Sequence, residues 1–502
     1  MKRRLLILFV LLLCAVTMYA QSLVGLDPTF ANNGVYLGVD TSSFAKITMQ
    51  PNQKIITTGL TLQNWNYQSI VRRFNTNGTI DNAFANNGYF IVNLPGGIFG
   101  NVIPICLQPD GRILLGGGTT KDLLLIRLKT DGNLDSSFGN NGIKITGYPG
   151  TEYINSIALQ PDGKIVSVGI RQTPEDAIQV VRYLPDGSLD SSFGNNGEVY
   201  YDWTWGVFHY PTANDIAVLS NGKIVVGATT QIDANGKYCF TALRLLPNGS
   251  LDTSFNHSGM AYTDIGGWLA YCKAMQLQLD GKILLAGYSD SITVVRFDTT
   301  GKLDNSFGTG GMVKLSQGKG GNTLTLQLDG KALVGGEANT DFIIYRLMPD
   351  GSIDASFGTN GYIQNKILNK ETQVNGIVVQ SDGKIVMSGG TLDSTNYYAH
   401  PFLLRYLPKA TGVKEIPFNK NDFNIFPNPV NDKLTIAYPN DQGVMVDICV
   451  YDVMGRKLVS KESQYFKSSS VTIPVSTFAP GVYFISITNN KGLSEQFKFV
   501  KQ

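Results

Sequence analysis

The chain has 502 residues, with 41 Lys+Arg against 39 Asp+Glu, 43% hydrophobic residues, only 16% charged residues and 55 glycines. Lys2, Arg3 and Arg4 stand together at the start, so the remainder is near neutral and carries no electrostatic footprint for nucleic acid or an anionic membrane. This composition excludes a disordered chain and fits a turn-rich packed body: two or three domains, or one large repeat body with an accessory.

Residues 1–20 join three cations to an apolar run over 5–16 and end at Ala20, the layout of a secretory signal peptide cut after Ala20. The run is short for a membrane span, and Leu13 is too large to precede a lipid-attachment site at Cys14. No later window offers about 20 successive apolar residues, so no transmembrane helix is expected. Cys106, Cys239, Cys272 and Cys449 share no C-x-x-C spacing, which leaves a metal or redox motif unsupported. Buried thiols are expected, with a Cys239–Cys272 disulfide left open.

Internal repetition decides the fold. A phrase of the form [LI]-D-x-[STA]-F occurs seven times, with its aspartates at Asp27, Asp81, Asp135, Asp190, Asp252, Asp304 and Asp354. A second phrase, best seen as LQPDGKI over 159–165, also occurs seven times. A third closes each unit on Arg73, Arg127, Arg182, Arg244, Arg296, Arg346 and Arg405. In SIALQPDGKIVSVG two β-rich runs flank Asp-Gly, a dipeptide that tolerates positive φ in a tight hairpin. In QVVRYLPDGSLDSSFG a third strand is expected to turn at another Asp-Gly into a fourth, formed by the LD phrase. Four short antiparallel strands in units of about 50 residues fit a propeller blade.

At these phrases residues 25–407 resemble the delta-60 repeat family of secreted bacterial β-propellers; LDSSFGNNG and LQPDGKI match it closely. The expected architecture is all-β: a seven-bladed β-propeller of four-stranded blades over 23–407, a linker over 408–422, and a small β-sandwich over 423–502. The LD phrase of 25–30 has no Arg strand before it, and the Arg strand of 402–407 has no LD strand after it. These two orphans are expected to pair, with the N-terminal strand (25–30, extending toward Leu37) closing the last blade.

From Phe423 the pattern is new. FPNPVNDKL, VYDVMGRKL, APGVYFISI and the terminal FKFVKQ resemble the type A C-terminal sorting domain of the type IX secretion system, found in the Bacteroidetes. Pro427, Asn428, Pro429, Gly455 and Gly481 carry the motif. The resemblance implies recognition by the translocon, removal by a sorting peptidase, and release of the cargo or its attachment to surface lipopolysaccharide.

Chemistry-bearing motifs are scarce. The mature histidines, His209, His257 and His400, lie in unrelated settings, and there is no G-x-S-x-G, H-E-x-x-H, Walker or calcium-loop phrase. No catalytic residue, cofactor or metal is assigned. Asp and Arg recurring in every unit point to a structural duty: Asp capping turn amides, Arg binding carbonyls or carboxylates.

Function in a repeat protein should appear where the repeats differ. The longest interval, Asp190 to Asp252, contains EVYYDWTWGVFHYPTAND over 198–215. Strand alternation places Tyr201, Trp203 and Trp205 on one face; with Tyr210 they are the candidate ligand-binding residues, suited to stacking on sugars or clamping peptides. The expected function is a secreted or surface-attached binding or adhesion module for a glycan or protein ligand. An extracellular glycan- or lactone-directed hydrolase or lyase, or a purely structural envelope component, are the alternatives.

Overall fold

A computed structural model describes residues 25–502 except 64–65, 95–100, 148–150, 173–175, 203–210, 232–236, 268, 368–369, 393–398, 409–422, 439–443, 454–455, 467–468 and 490–493. The expected signal peptide and most of the linker therefore lie outside the described residues. The chain divides into two compact units, 1–411 and 412–502.

In the first unit the described residues form seven four-stranded antiparallel sheets. The third is representative: Thr151–Leu159, Ile165–Gln172, Asp176–Tyr183 and Glu198–Tyr201, in that spatial order. The two middle strands read as continuous apolar runs because both of their faces are covered by neighbouring sheets. Val166, Val168, Ile178 and Val180, for example, share one cluster with Ile216, Val226 and Leu243 of the next sheet. This is a β-propeller. Cys239 and Cys272 are buried within it and are not joined by a disulfide.

The fourth strand differs from the expectation. The LD phrase contributes a single bridge, Tyr183 to Leu189, and the strand begins beyond Gly197. Its alternation looks strand-like, but Asp190 Oδ1 accepts from Ser192 N at 3.1 Å, which bends the chain into an Asx turn and sends Phe193 inward.

The seventh sheet is composite. Val35–Leu37 pairs antiparallel with 402–404, and Leu26 bridges Tyr406. The N-terminal segment thus completes the last sheet as expected, although its strand is 35–37 and not 25–30. Phe30, Phe44, Ile55 and Phe74 share a core with Val386 and Leu403, and Asn375 donates to the Phe44 carbonyl at 2.9 Å, so the seventh sheet packs on the first.

The second unit contains a three-stranded sheet (Asn424–Phe426, Lys433–Tyr438, Ser469–Pro474) and a four-stranded one (Val444–Asp452, Lys457–Phe466, Gly481–Asn489, Ser494–Lys501). Leu434, Ile436, Val446, Ile448, Val450 and Ile485 fill the core between them, the alternation expected of a sandwich.

Candidate functional site

The recurrent residues build one node per unit. Each repeat Arg donates from Nε to the Asp eight residues on, at 2.6 to 2.9 Å in the first six units; in the seventh, Arg405 reaches Asp27 at 3.0 Å. The Lys or Arg of the Gly-Lys-Ile phrase reaches the same carboxylate, as Lys164 does Asp190 at 3.0 Å and Lys384 does Asp27 at 3.3 Å. A second Arg nitrogen donates to a turn carbonyl of the next unit: Arg127 to Pro185 at 2.6 Å, and, across the ends of the chain, Arg405 to Thr76 at 2.5 Å. Beneath each guanidinium lies the repeat Phe, 4.4 to 4.6 Å from it. The next unit's turn covers that ring so closely that a Cβ on Gly187 would stand 2.8 Å from Phe138. At φ +89° Gly187 also occupies backbone space that favours glycine.

Burial by itself raises a carboxyl pKa, but here it is outweighed. Hydroxyl and amide donors from Thr29 or Ser356, with the facing Arg and Lys, hold Asp27 and Asp354 down to about 2. The nodes are interlocks between units.

The third sheet breaks the pattern. Its second strand ends near Arg171, where the other six units place Thr61, Thr119, Thr230, Ser289, Ala338 and Thr391. Its fourth strand starts at Glu198, where the others have Val35, Tyr89, Ile143, Met260, Met312 and Tyr362. Pairing of Glu152 with Arg171 and of Gly169 with Gln179 gathers the four polar residues. Gln179 Nε2 donates to Glu198 Oε1 at 2.7 Å and to Glu152 Oε1 at 3.3 Å. Arg171 lies 3.7 Å from Glu198 Oε1 and 4.0 Å from Glu152 Oε1, and its guanidinium sits 5.2 Å from the Tyr200 ring centre. Glu152 is fully buried; burial first, and then the charge of Glu198, pushes its pKa up to about 7, against the pull of Arg171. Glu152 Oε2, Gln179 Oε1 and Arg171 Nε are buried with no hydrogen-bond partner among the described residues. Such a concentration of unsatisfied polar atoms in one place is unusual in a folded protein.

Of the sequence-predicted aromatic residues, Tyr201 is partly buried and its hydroxyl donates to the Gly249 carbonyl at 2.5 Å, while burial raises its pKa to about 12. Its neighbour Tyr200, one position out of phase, is the exposed ring, at 57%. Trp203, Trp205 and Tyr210 lie outside the described residues. Glu152, Arg171 and Gln179 were missed in the sequence; a column-by-column comparison of the units would have shown Arg171 standing in a threonine column.

In the second unit Asn428 clamps the final strand. Val500 N donates to its Oδ1 at 3.0 Å and its Nδ2 donates to the Lys498 carbonyl at 3.1 Å, with Val430 N to Val500 O at 2.8 Å alongside. Pro427 and Pro429 flank that clamp, and Gly481 pairs with Lys501 at the start of the neighbouring strand. Gly455 lies outside the described residues, next to Arg456, whose Nε donates to Asp452 Oδ2 at 2.6 Å.

A family model for a β-propeller domain of unknown function (DUF5122) matches residues 50–84, 108–138, 160–193, 219–255, 278–307 and 327–357. The seventh copy of the phrases is split between the two ends of the first unit, so no contiguous stretch presents it. A model for the secretion system C-terminal sorting domain matches residues 424–502. No curated protein matches the chain. Similar solved structures include a protein of unknown function from Bacteroides caccae (14% identity, TM-score 0.35, 56% of this chain and 83% of that one). Another is the β-propeller domain of the trilobed protease from Pyrococcus furiosus (14% identity, TM-score 0.39, 73% of this chain and 96% of that one). The sorting domain directs export through the type IX secretion machinery to the cell surface or the medium. The chain is a DUF5122 β-propeller repeat protein carrying a secretion system C-terminal sorting domain.

Proposed function

We propose that the exported propeller is a binding module for an extracellular glycan. The glycan is taken at the end of the third sheet by Tyr200, Arg171 and Glu198, together with Trp203, Trp205 and Tyr210 of the segment that follows in the chain. The observation that carries this reading is the break in repeat symmetry: six units place a small residue at the Arg171 position and an apolar one at the Glu198 position, and the third does neither. An exposed aromatic ring backed by a guanidinium, with a carboxylate 3.7 Å from that guanidinium, suits a sugar, whose C–H face stacks on the ring while its hydroxyls bond the charged groups. Glu152, though beside Glu198 and raised in pKa, is sealed from solvent, so it supports Arg171 and does not protonate a glycosidic oxygen. This favours binding over hydrolysis.

The test is a glycan array probed with the chain from Gln21 onward, wild type beside Tyr200→Ala and Arg171→Thr, the second installing the residue common in the other units. Retention of a glycan by the wild type and its loss in both variants, each with unchanged circular dichroism, is expected. Retention of no glycan by the wild type refutes the function, and equal retention by the variants refutes the site.

A further inference from the structure

A second site lies where the inner strands of the seven sheets converge. Each carries a β-bulge at the same step, and the bulge residues Ala45, Asn155, Asn214, Lys273, Asn322 and Asn375 line one cavity of about 400 Å³. Bulges turn a side chain out of the strand's alternation, here toward the cavity. Three of the asparagines close the wall: Asn155, Asn214 and Asn375 donate to the Ala213, Cys272 and Phe44 carbonyls of the following units at 2.9, 2.7 and 2.9 Å.

The fifth unit replaces that asparagine with Lys273, and the first places Lys46 next to its bulge. Both lysines line the cavity and are partly buried. Lys273 Nζ lies 5.4 Å from the Tyr271 ring centre. Burial first, with the like charge of Lys46 adding to it, lowers the Lys273 pKa. Among the described residues neither ammonium has a carboxylate within ion-pair distance. Asp215, one step beyond the fourth bulge, is engaged elsewhere: Oδ1 accepts from Ser156 Oγ and Ile216 N, and Oδ2 from Met275 N, all at 3.0 Å. Two like charges confined in one cavity repel each other, and the cost is relieved when an anion sits between them.

We propose that this cavity binds an oxyanion, the carboxylate, sulfate or phosphate group of a small extracellular ligand, between Lys46 and Lys273. A volume of about 400 Å³ accommodates a ligand the size of an acidic monosaccharide. The site shares no residue with the third-sheet platform, so the two proposals stand or fall separately.

The experiment is calorimetric titration of the chain from Gln21 onward with sodium glucuronate, sulfate and phosphate, against sodium chloride at matched ionic strength. Saturable binding of at least one oxyanion is expected, weakened at least about tenfold in Lys46→Gln and in Lys273→Gln and unchanged in Lys302→Gln. Tighter binding of glucuronate assigns a uronate sugar; tighter binding of sulfate or phosphate assigns an ester or the inorganic ion. A second readout does not depend on the variants folding: reductive methylation of wild-type protein, read by mass spectrometry, should slow at Lys46 and Lys273 when the oxyanion is present. No saturable binding of any of the three, undiminished affinity in either Lys46→Gln or Lys273→Gln, or unprotected lysines overturns the proposal.

Discussion

Phe30→Ala tests whether the N-terminal segment is a structural member of the ring. Phe30 precedes the first sheet's inner strand, Ser42–Met49, and is fully buried. It lies 4.5 Å beneath the Arg405 guanidinium, and the first unit's turn covers it so closely that a Cβ on Gly78 would stand 2.7 Å from the ring. Its core is shared with Phe44, Ile55 and Phe74 of the first sheet and with Val386 and Leu403 of the seventh. Deleting a buried Phe side chain costs about 3–5 kcal/mol, and loss of the ring beneath Arg405 adds about 1 kcal/mol. Phe193→Ala is the matched control, because Phe193 holds the same place under Arg182 in mid-chain and is equally buried. The assay is urea unfolding of the chain from Gln21 onward, followed by circular dichroism. The two variants should lose similar stability in the transition that unfolds the propeller. A loss below about 1 kcal/mol for Phe30→Ala beside a full loss for Phe193→Ala would make the segment a fraying end and refute its place in the ring.

Glu152 is raised from 4.5 to about 7, so between those values the unfolded chain binds fewer protons than the folded one and stability falls as pH rises. Glu152→Gln should therefore be more stable than wild type by up to about 3 kcal/mol at pH 8 and equal to it at about pH 4, as read by urea unfolding at each pH. Asp27 is lowered from 3.8 to about 2, so its contribution is present above about pH 4 and is lost as pH falls toward 2. Asp27→Asn should lose about 2 kcal/mol at neutral pH and converge with wild type in strong acid in thermal unfolding. Removal of residues 424–502 should leave the propeller in the periplasm, seen by immunoblotting of cell fractions, and delivery of the truncated chain to the surface would count against the sorting assignment.

The repeated phrases were readable because each residue type does one job in every unit. Asp190 caps a turn and takes Arg182 and Lys164, Phe193 fills the space beneath the guanidinium, and Gly249 lets the next turn close over it. Pairing of the chain ends was readable for the same reason, since Asp27 and Arg405 are halves of one node separated by 378 positions. The fourth strand was misplaced because the local hydrogen bond from Ser192 N to Asp190 overrides an apolar–polar alternation. The third-sheet cluster was hidden because Glu152, Arg171, Gln179 and Glu198 are brought together only by strand register, not by spacing along the chain. The aromatic segment was noticed, but its phase was not: Tyr201 turns in toward Gly249 and Tyr200 faces solvent.

That the exported propeller binds where its symmetry breaks is tested most directly by amide hydrogen exchange, with and without a glycan retained on the array. Slowed exchange is expected at 151–154, 170–172 and 198–212, with the equivalent segments of the other six units unchanged. Protection distributed evenly over all seven units, or confined to a different sheet, would contradict it.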